Sequence, residues 1–255
     1  MHQRTIFFLS ALLAAASASA QTPAPSSKVP DLSGNWVGRP FMSVSTTDPG
    51  GAKRGNEDDI SYTAEGRAKL MAGIPPTGPF GQPDKTTDPW VTYCEPNGPV
   101  RIWVHPARHL FVPLPDKVLI LHEVMQQFQI VRLNSTHPPL EDIEPSYFGD
   151  AIGHYENGDT LVVDIVGTNG RTWLDQSGHP TSEKLHVVER YKRVDANRLD
   201  YEATINDPVI YSKPIVFKKT IQQSKVPFMQ VPWNCSTRDN TYYTDTLLDT
   251  AGTAK

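Results

Sequence analysis

The sequence predicts an all-β domain, a mainly antiparallel β-barrel or sandwich with one short helix and long loops. Three observations lead there. From Lys117 onward, short runs rich in Val, Ile, Leu and Tyr recur with turn residues between them: KVLILHEVMQQFQIVRL, GDTLVVDIVG, EKLHVVERYKRV, RLDYEATI and SKPIVFKKTIQQ. Within EKLHVVERYKRV and RLDYEATI the side chains alternate with the period of two that a strand imposes. Helix signals are confined to one stretch, YTAEGRAKLMAG.

The elements follow in chain order. MHQR is a short basic start, TIFFLSALLAAA an apolar run, and ASA before Gln21 a small-residue cleavage site, so residues 1–20 read as a signal peptide cut near Ala20. The apolar run is short for a bilayer span, and a signal anchor is the alternative. Residues 21–30, QTPAPSSKVP, read as a disordered lead-in, and residues 31–255 as a single β-rich domain. The helix is expected over 64–72, with Thr63 as N-cap, Glu65 in the first turn and Gly73 past the end. Residues 74–89 are Pro- and Gly-rich and read as a long loop. KVLILHEVMQQFQIVRL makes two strands or one long bent one, with His122 on a mainly apolar row alongside Ile120, Val124, Phe128 and Ile130. Asn157-Gly158 marks a turn into GDTLVVDIVG, and Asp195-Ala196-Asn197 closes a hairpin. Pro214, near the start of the last strand, suits an edge or a bulge.

The chain has 24 Lys+Arg against 28 Asp+Glu, a net charge of −4, and the cations are scattered. Nucleic acid is therefore not an expected partner, because phosphate binding needs a basic face. No second run approaches membrane-spanning length, so no stable membrane insertion is expected and the processed protein is placed in the periplasm or outside the cell. In such a compartment Cys94 and Cys235 pair by default, closing a loop of about 140 residues and contributing about 3–5 kcal/mol. Two free thiols or a metal pair are the alternatives.

The pieces PDLSGNW, YTAEGRAKL, YCEPNGPVR, HPP, GHYENGDTLVVDIVG, RTWLDQSGHPTSEKLHVVERY and YEATINDPVIY together resemble a large, mostly uncharacterised family of secreted bacterial proteins. The resemblance covers most of the chain after the leader; the tail around Cys235 is shorter and less typical. Gly34-Asn35-Trp36 is similar to the Gly-x-Trp of lipocalin-like barrels, in which a first-strand Trp plugs one end. The resemblance implies export and a compact lipocalin- or calycin-like β-domain, with no settled chemistry.

Candidate chemistry concentrates between Arg171 and Arg193. Leu185, Val187, Glu189 and Tyr191 form the more apolar face of one strand and should point inward, as should Leu199, Tyr201, Ala203 and Ile205 on its hairpin partner. Glu189 is then a carboxylate on a core-facing row near Ala203 or Ile205. Burying it calls for a raised pKa or a partner, and so it reads either as a general acid or base or as half of a buried Glu–Arg pair. The preceding loop adds Asp175 and His179 as an acid–base pair, Arg171 for an anionic group and Trp173 as an apolar wall, or else an Asp–Arg clasp beneath a packed Trp. His186, Arg190, Tyr191 and His122 complete the candidates, His186 as catalytic and the others as substrate-binding. His122, alone on a mainly apolar row, reads more readily as a satisfied core residue than as a ligand. His105, His109 and His137 fall in Pro-bearing loops. His186 and Glu189, three apart on a strand, cannot face one metal. No metal-ligand spacing, nucleophile elbow, P-loop or dinucleotide fingerprint occurs, so no metal or cofactor is expected.

Two functions follow, and the oligomeric state stays open. One is an exported enzyme acting on a small molecule by Glu/His/Asp/Arg acid–base chemistry, as a lyase, isomerase or hydrolase. The other is a lipocalin-like carrier that binds a small molecule without catalysis. A surface interaction module is a third reading.

Overall fold

The computed structural model describes residues 31–39, 41, 43–47, 59–73 and 88–230. The expected signal peptide, lead-in and Cys235 lie outside the described residues. Nine strands close into one barrel in chain order: β1 Gly34–Gly38, β2 Arg108–Pro113, β3 Lys117–His122, β4 Phe128–Leu133, β5 Asp150–Glu156, β6 Thr160–Val166, β7 His186–Asp195, β8 Arg198–Asn206 and β9 Ile215–Gln223. β9 returns to β1 through Trp36↔Gln223 and Gly38↔Ile221. The barrel is the expected all-β architecture, and closure excludes the sandwich.

All neighbouring pairs are antiparallel except β4 and β5, which run parallel with Val131 opposite Ala151. Parallel neighbours need a return connection, and residues 134–149 supply it. The return is pinned at its end: Ser146 N donates to Gly167 O at 3.2 Å, and Asn169 N donates to Ser146 O at 2.9 Å. Gly149 sits at φ +65°, and a Cβ there would lie 2.3 Å from Val166 O, so only glycine fits that approach.

The predicted hairpins form. Asn157 and Gly158 both have positive φ, as a two-residue primed turn between right-twisted strands requires. β7 and β8 pair with Glu189 opposite Ala203 and Tyr191 opposite Tyr201, and both expected inward rows are buried. KVLILHEVMQQFQIVRL makes two strands, β3 and β4, with a single 3₁₀ turn, Val124–Gln126, between them. That turn overturns the expected row. His122 and Ile120 face in, but Phe128 and Ile130 are exposed, and Gln129 and Val131 take the inner face. β9 is not an edge strand either, since β8 and β1 flank it; Pro214 merely precedes its first residue.

The predicted helix forms as α1, Ala64–Gly73, with Gly73 as its last residue rather than beyond it. The Thr63 hydroxyl accepts from Gly66 N at 2.9 Å and donates to Val209 O at 2.5 Å, fixing the helix start to the 207–211 turn. The contact is backbone to backbone, for a Cβ on Gly66 would lie 2.0 Å from Ile210 O. Gly66→Ala is therefore expected to lose about 1–3 kcal/mol despite alanine's better helix propensity, as overpacking forces the helix off the barrel. Urea unfolding of the variant measures this, and an unchanged midpoint would refute the close contact.

A second short helix, α2, Pro89–Tyr93, has no counterpart among the elements expected from sequence. Asp88 caps it by accepting from Trp90 N at 3.0 Å, and Cys94 ends it in the left-handed conformation. Beyond it, Gly98 and Val100 both adopt positive φ, and a 3₁₀ turn, Arg101–Val104, follows with all four side chains buried. The CEPNGPVR stretch thus leads a plug into the barrel. Trp103 lies 5.6 Å from Tyr191 and 5.3 Å from Tyr201, ring centroid to ring centroid. Trp36 is also fully buried, its indole donating to Leu32 O at 3.1 Å and its ring covered by the Arg193 guanidinium at 4.9 Å.

Candidate functional site

Glu189 projects inward from β7 and is 1% exposed. Tyr191 Oη donates to its Oε2 at 2.9 Å and Tyr201 Oη donates to its Oε1 at 2.8 Å. The Val100 backbone N–H and the Trp103 side chain on the plug also favour its charged form. Burial pushes its pKa up, and these hydrogen bonds offset only part of the rise. Both tyrosines are held well above their usual pKa, chiefly by burial and then by the Glu189 charge. The expected arginine partner is not the one found. Phenol hydroxyls two residues on and across the hairpin reach the carboxylate, and they bring no second charge to desolvate.

A second buried pair went unseen in the sequence. His109, expected in a loop, lies on β2 opposite His122 of β3, and their Nδ1 atoms are 2.7 Å apart. Both rings are 1% exposed, and neither Nε2 has a partner. His109 packs on Trp103 at 4.0 Å between centroids, and His122 stacks on Phe148 at 5.7 Å. Burial drives both pKa values down, that of His122 to about 3 and that of His109 well below the usual value, with the His122 charge also opposing it. Nearby His105 falls to about 4 through burial and the charges of Arg101 and Lys219. The His122 reading as a core residue stands. Alternation in RHLFVP, with His109 in phase with Phe111, is the signal that points to its partner.

The loop between β6 and β7 builds its own clasp. Asp175 is fully buried. Its Oδ2 accepts from Val44 N at 2.6 Å and lies 2.5 Å from His179 Nδ1, and its Oδ1 accepts from Ser177 N at 2.9 Å. Burial raises its pKa, but the His179 charge and hydrogen bond, Val44 N–H and Arg101 outweigh it, and the net shift is downward. Arg101 joins this clasp to the plug by donating to the Asp175 carbonyl and pairing with Asp88. Its guanidinium also lies 6.0 Å from the Trp173 ring. The expected Asp–His pair forms, but among the described residues no Asp–Arg salt bridge forms within this loop: Arg101 and Asp88 both lie outside it, and Arg171 turns to Glu95. Asp207 ties the loop end down, accepting from Ser182 N and Oγ, each at 2.7 Å.

The remaining candidates are not brought to Glu189. His186 and Arg190 alternate onto the outer face. His186 Nε2 lies 2.7 Å from Asp164, beside a cluster in which Arg132 and His137 share Asp150, and Arg190 pairs with Glu156. Arg171 is largely exposed and pairs with Glu95, which also accepts from Tyr147. For the two strand residues the reason is the same period of two that points Glu189 inward. Arg190→Ala is expected to change stability by less than about 1 kcal/mol, since an ion pair open to water contributes little. Thermal unfolding at low and high salt tests this, and a large salt-dependent loss would count against it.

Among the described residues, no group of three His, Cys, Asp or Glu could hold a metal, and no helix is long and apolar enough to cross a membrane. Among the described residues, three of the cavities that open on the barrel are sizeable, and none of these three is lined by Glu189, Asp175 or His179. One of about 610 Å³ lies along β4 and β5 beside Phe128, Ile130 and Phe148. Another, about 590 Å³, is polar and lies over β8 and β9. The third, about 570 Å³, has an apolar floor of Phe41, Val216 and Phe217, with Lys219 on its wall. The ionisable groups that the sequence would gather in one pocket are thus distributed between two buried clasps and the outer face. No family model matches this chain, and no curated protein matches it.

Proposed function

We propose that this protein is an exported β-barrel that binds a small apolar molecule without transforming it, and that the Phe41–Phe217 pocket is the binding site. The observation that carries the reading is the state of Glu189: both oxygens are taken by tyrosine hydroxyls, and no described cavity touches it. An acid–base enzyme would need substrate to reach that carboxylate, which favours the binding reading over the catalytic one. The pocket volume falls in the range of small-molecule sites, which are typically apolar with a few placed polar groups.

Export and a Cys94–Cys235 disulfide belong to the same proposal. Both are supported by the leader-like residues 1–20 and by the resemblance to secreted bacterial proteins. Intact-mass measurement of the exported protein, before and after reduction, tests the two together.

The binding test uses the neutral fluorescent probe N-phenyl-1-naphthylamine. Phe217→Leu is expected to weaken probe binding several-fold, while Glu189→Gln retains it in proportion to folded protein. Loss of binding in a fully folded Glu189→Gln variant, or unchanged binding in Phe217→Leu, would overturn the proposal.

A further inference from the structure

Lys219 is the one cation on the inward row of β9, in phase with Phe217 and Ile221 and opposite Tyr201. Its Nζ donates to Trp103 O at 2.6 Å and lies 5.0 Å from the Phe41 ring. A Cβ on Gly38 would lie 2.4 Å from its Cε, so the stem runs tightly under β1. No described carboxylate pairs with it. On the Phe41 side the charges near it are all cationic or capable of only that sign: Arg39 and Lys218 line the same pocket, and His105 and His109 feel its charge from the plug and β2. No described acidic side chain lines this pocket. Lys219 also borders the polar cavity over β8 and β9, whose carboxylates Glu156, Asp200 and Glu202 are paired with Arg190, Arg198 and Lys218. Burial alone holds the amine down to about 7.

An amine on the wall of an apolar cavity whose described hydrogen-bond partner is a carbonyl lacks a paired counter-ion. The floor supplies the complementary apolar surface, with Phe41 and Phe217 at 4.3 Å between centroids. We propose that the Phe41–Phe217 pocket selects a small amphipathic carboxylate, with the Lys219 ammonium pairing the carboxylate and the two phenylalanines holding the apolar body. This rests on the binding reading above and gives it a chemical class. Charge-assisted pairing in a partly dry site is stronger than a neutral hydrogen bond, so the charged end decides which apolar molecules stay.

The experiment is calorimetric titration with 4-phenylbutyrate and its neutral analogue 4-phenylbutan-1-ol. Wild type is expected to bind the carboxylate at least tenfold more tightly at pH 6.5. That preference should shrink as pH rises well above 7, where the free amine gives up its proton, while alcohol binding stays flat. At pH 8 carboxylate binding should take up protons, detectable as a dependence of the measured heat on buffer ionisation. Lys219→Met is expected to remove the preference and the proton uptake but keep the alcohol. Equal affinities for the two ligands in wild type would overturn the carboxylate assignment and leave the binding reading standing. Binding of neither would overturn both. A preference that survives in Lys219→Met would transfer the role to Arg39 or Lys218 and reject Lys219.

Discussion

Glu189→Ala is expected to destabilise the protein by about 2–6 kcal/mol, since each buried donor left without an acceptor costs about 1–3 kcal/mol. The orphaned donors would be the Tyr191 and Tyr201 hydroxyls, both buried. Against a total stability of about 5–15 kcal/mol such a loss can prevent folding outright, so Glu189→Gln is the working variant. Its amide keeps the shape but presents a donor to donors, for an expected loss of about 2 kcal/mol. The pH dependence separates charge from shape. Because the Glu189 pKa is raised in the folded state, its contribution is fully present below the ordinary carboxylate pKa and is lost as pH rises through the raised folded value. Glutamine does not titrate. The stability gap between wild type and Glu189→Gln should therefore be widest in acid and narrow toward neutral pH. Urea denaturation at several pH values reads this directly. A gap that widens with pH would mean that the ionised carboxylate is the stabilising form and would contradict the raised pKa.

Acidification is expected to produce the second large effect. His105, His109 and His122 are buried with folded pKa values pushed down, that of His105 to about 4 and that of His122 to about 3. The unfolded chain takes up their protons near the usual histidine value and the folded barrel does not. Their contribution is therefore intact above about pH 6.5 and falls as pH drops toward the folded values, with each lagging histidine adding up to about 1.4 kcal/mol per pH unit. Asp175, whose pKa is lowered, adds to the loss at still lower pH. Glu189 acts in the opposite sense but is one group against three. The barrel should lose most of its stability between about pH 6 and 4. Replacing both His109 and His122 with leucine removes two of the three titrating groups together with two partnerless Nε2 atoms. That double variant should be near wild type at pH 7 and markedly more acid-resistant. If its unfolding midpoint fell with pH in parallel with wild type, the histidine pair would not be the cause.

The period of two is enough to read β7 and β8, their inward rows and the burial of Glu189, because side-chain alternation is a local property of extended backbone. Turn chemistry reads the hairpins at Asn157-Gly158 and Asp195–Asn197, and the N-cap at Thr63 reads α1. The same local rule fails at His122, where the turn through Val124–Gln126 resets the phase and puts Phe128 and Ile130 outside. What only the tertiary structure decided is which groups meet. Closure of the barrel carries residues 97–104 into its interior, so that Trp103 and Val100 reach Glu189 from some 85 to 90 positions away in the chain. Closure also sets β2 against β3 so that two histidines face each other, and it folds Phe41 and Lys219 around a pocket that no run of sequence announces. Alternation fixes the face on which a side chain lies. The partner it finds there depends on contacts between strands far apart in sequence, and for Glu189 those partners, rather than its burial, separate a clasp from a catalyst.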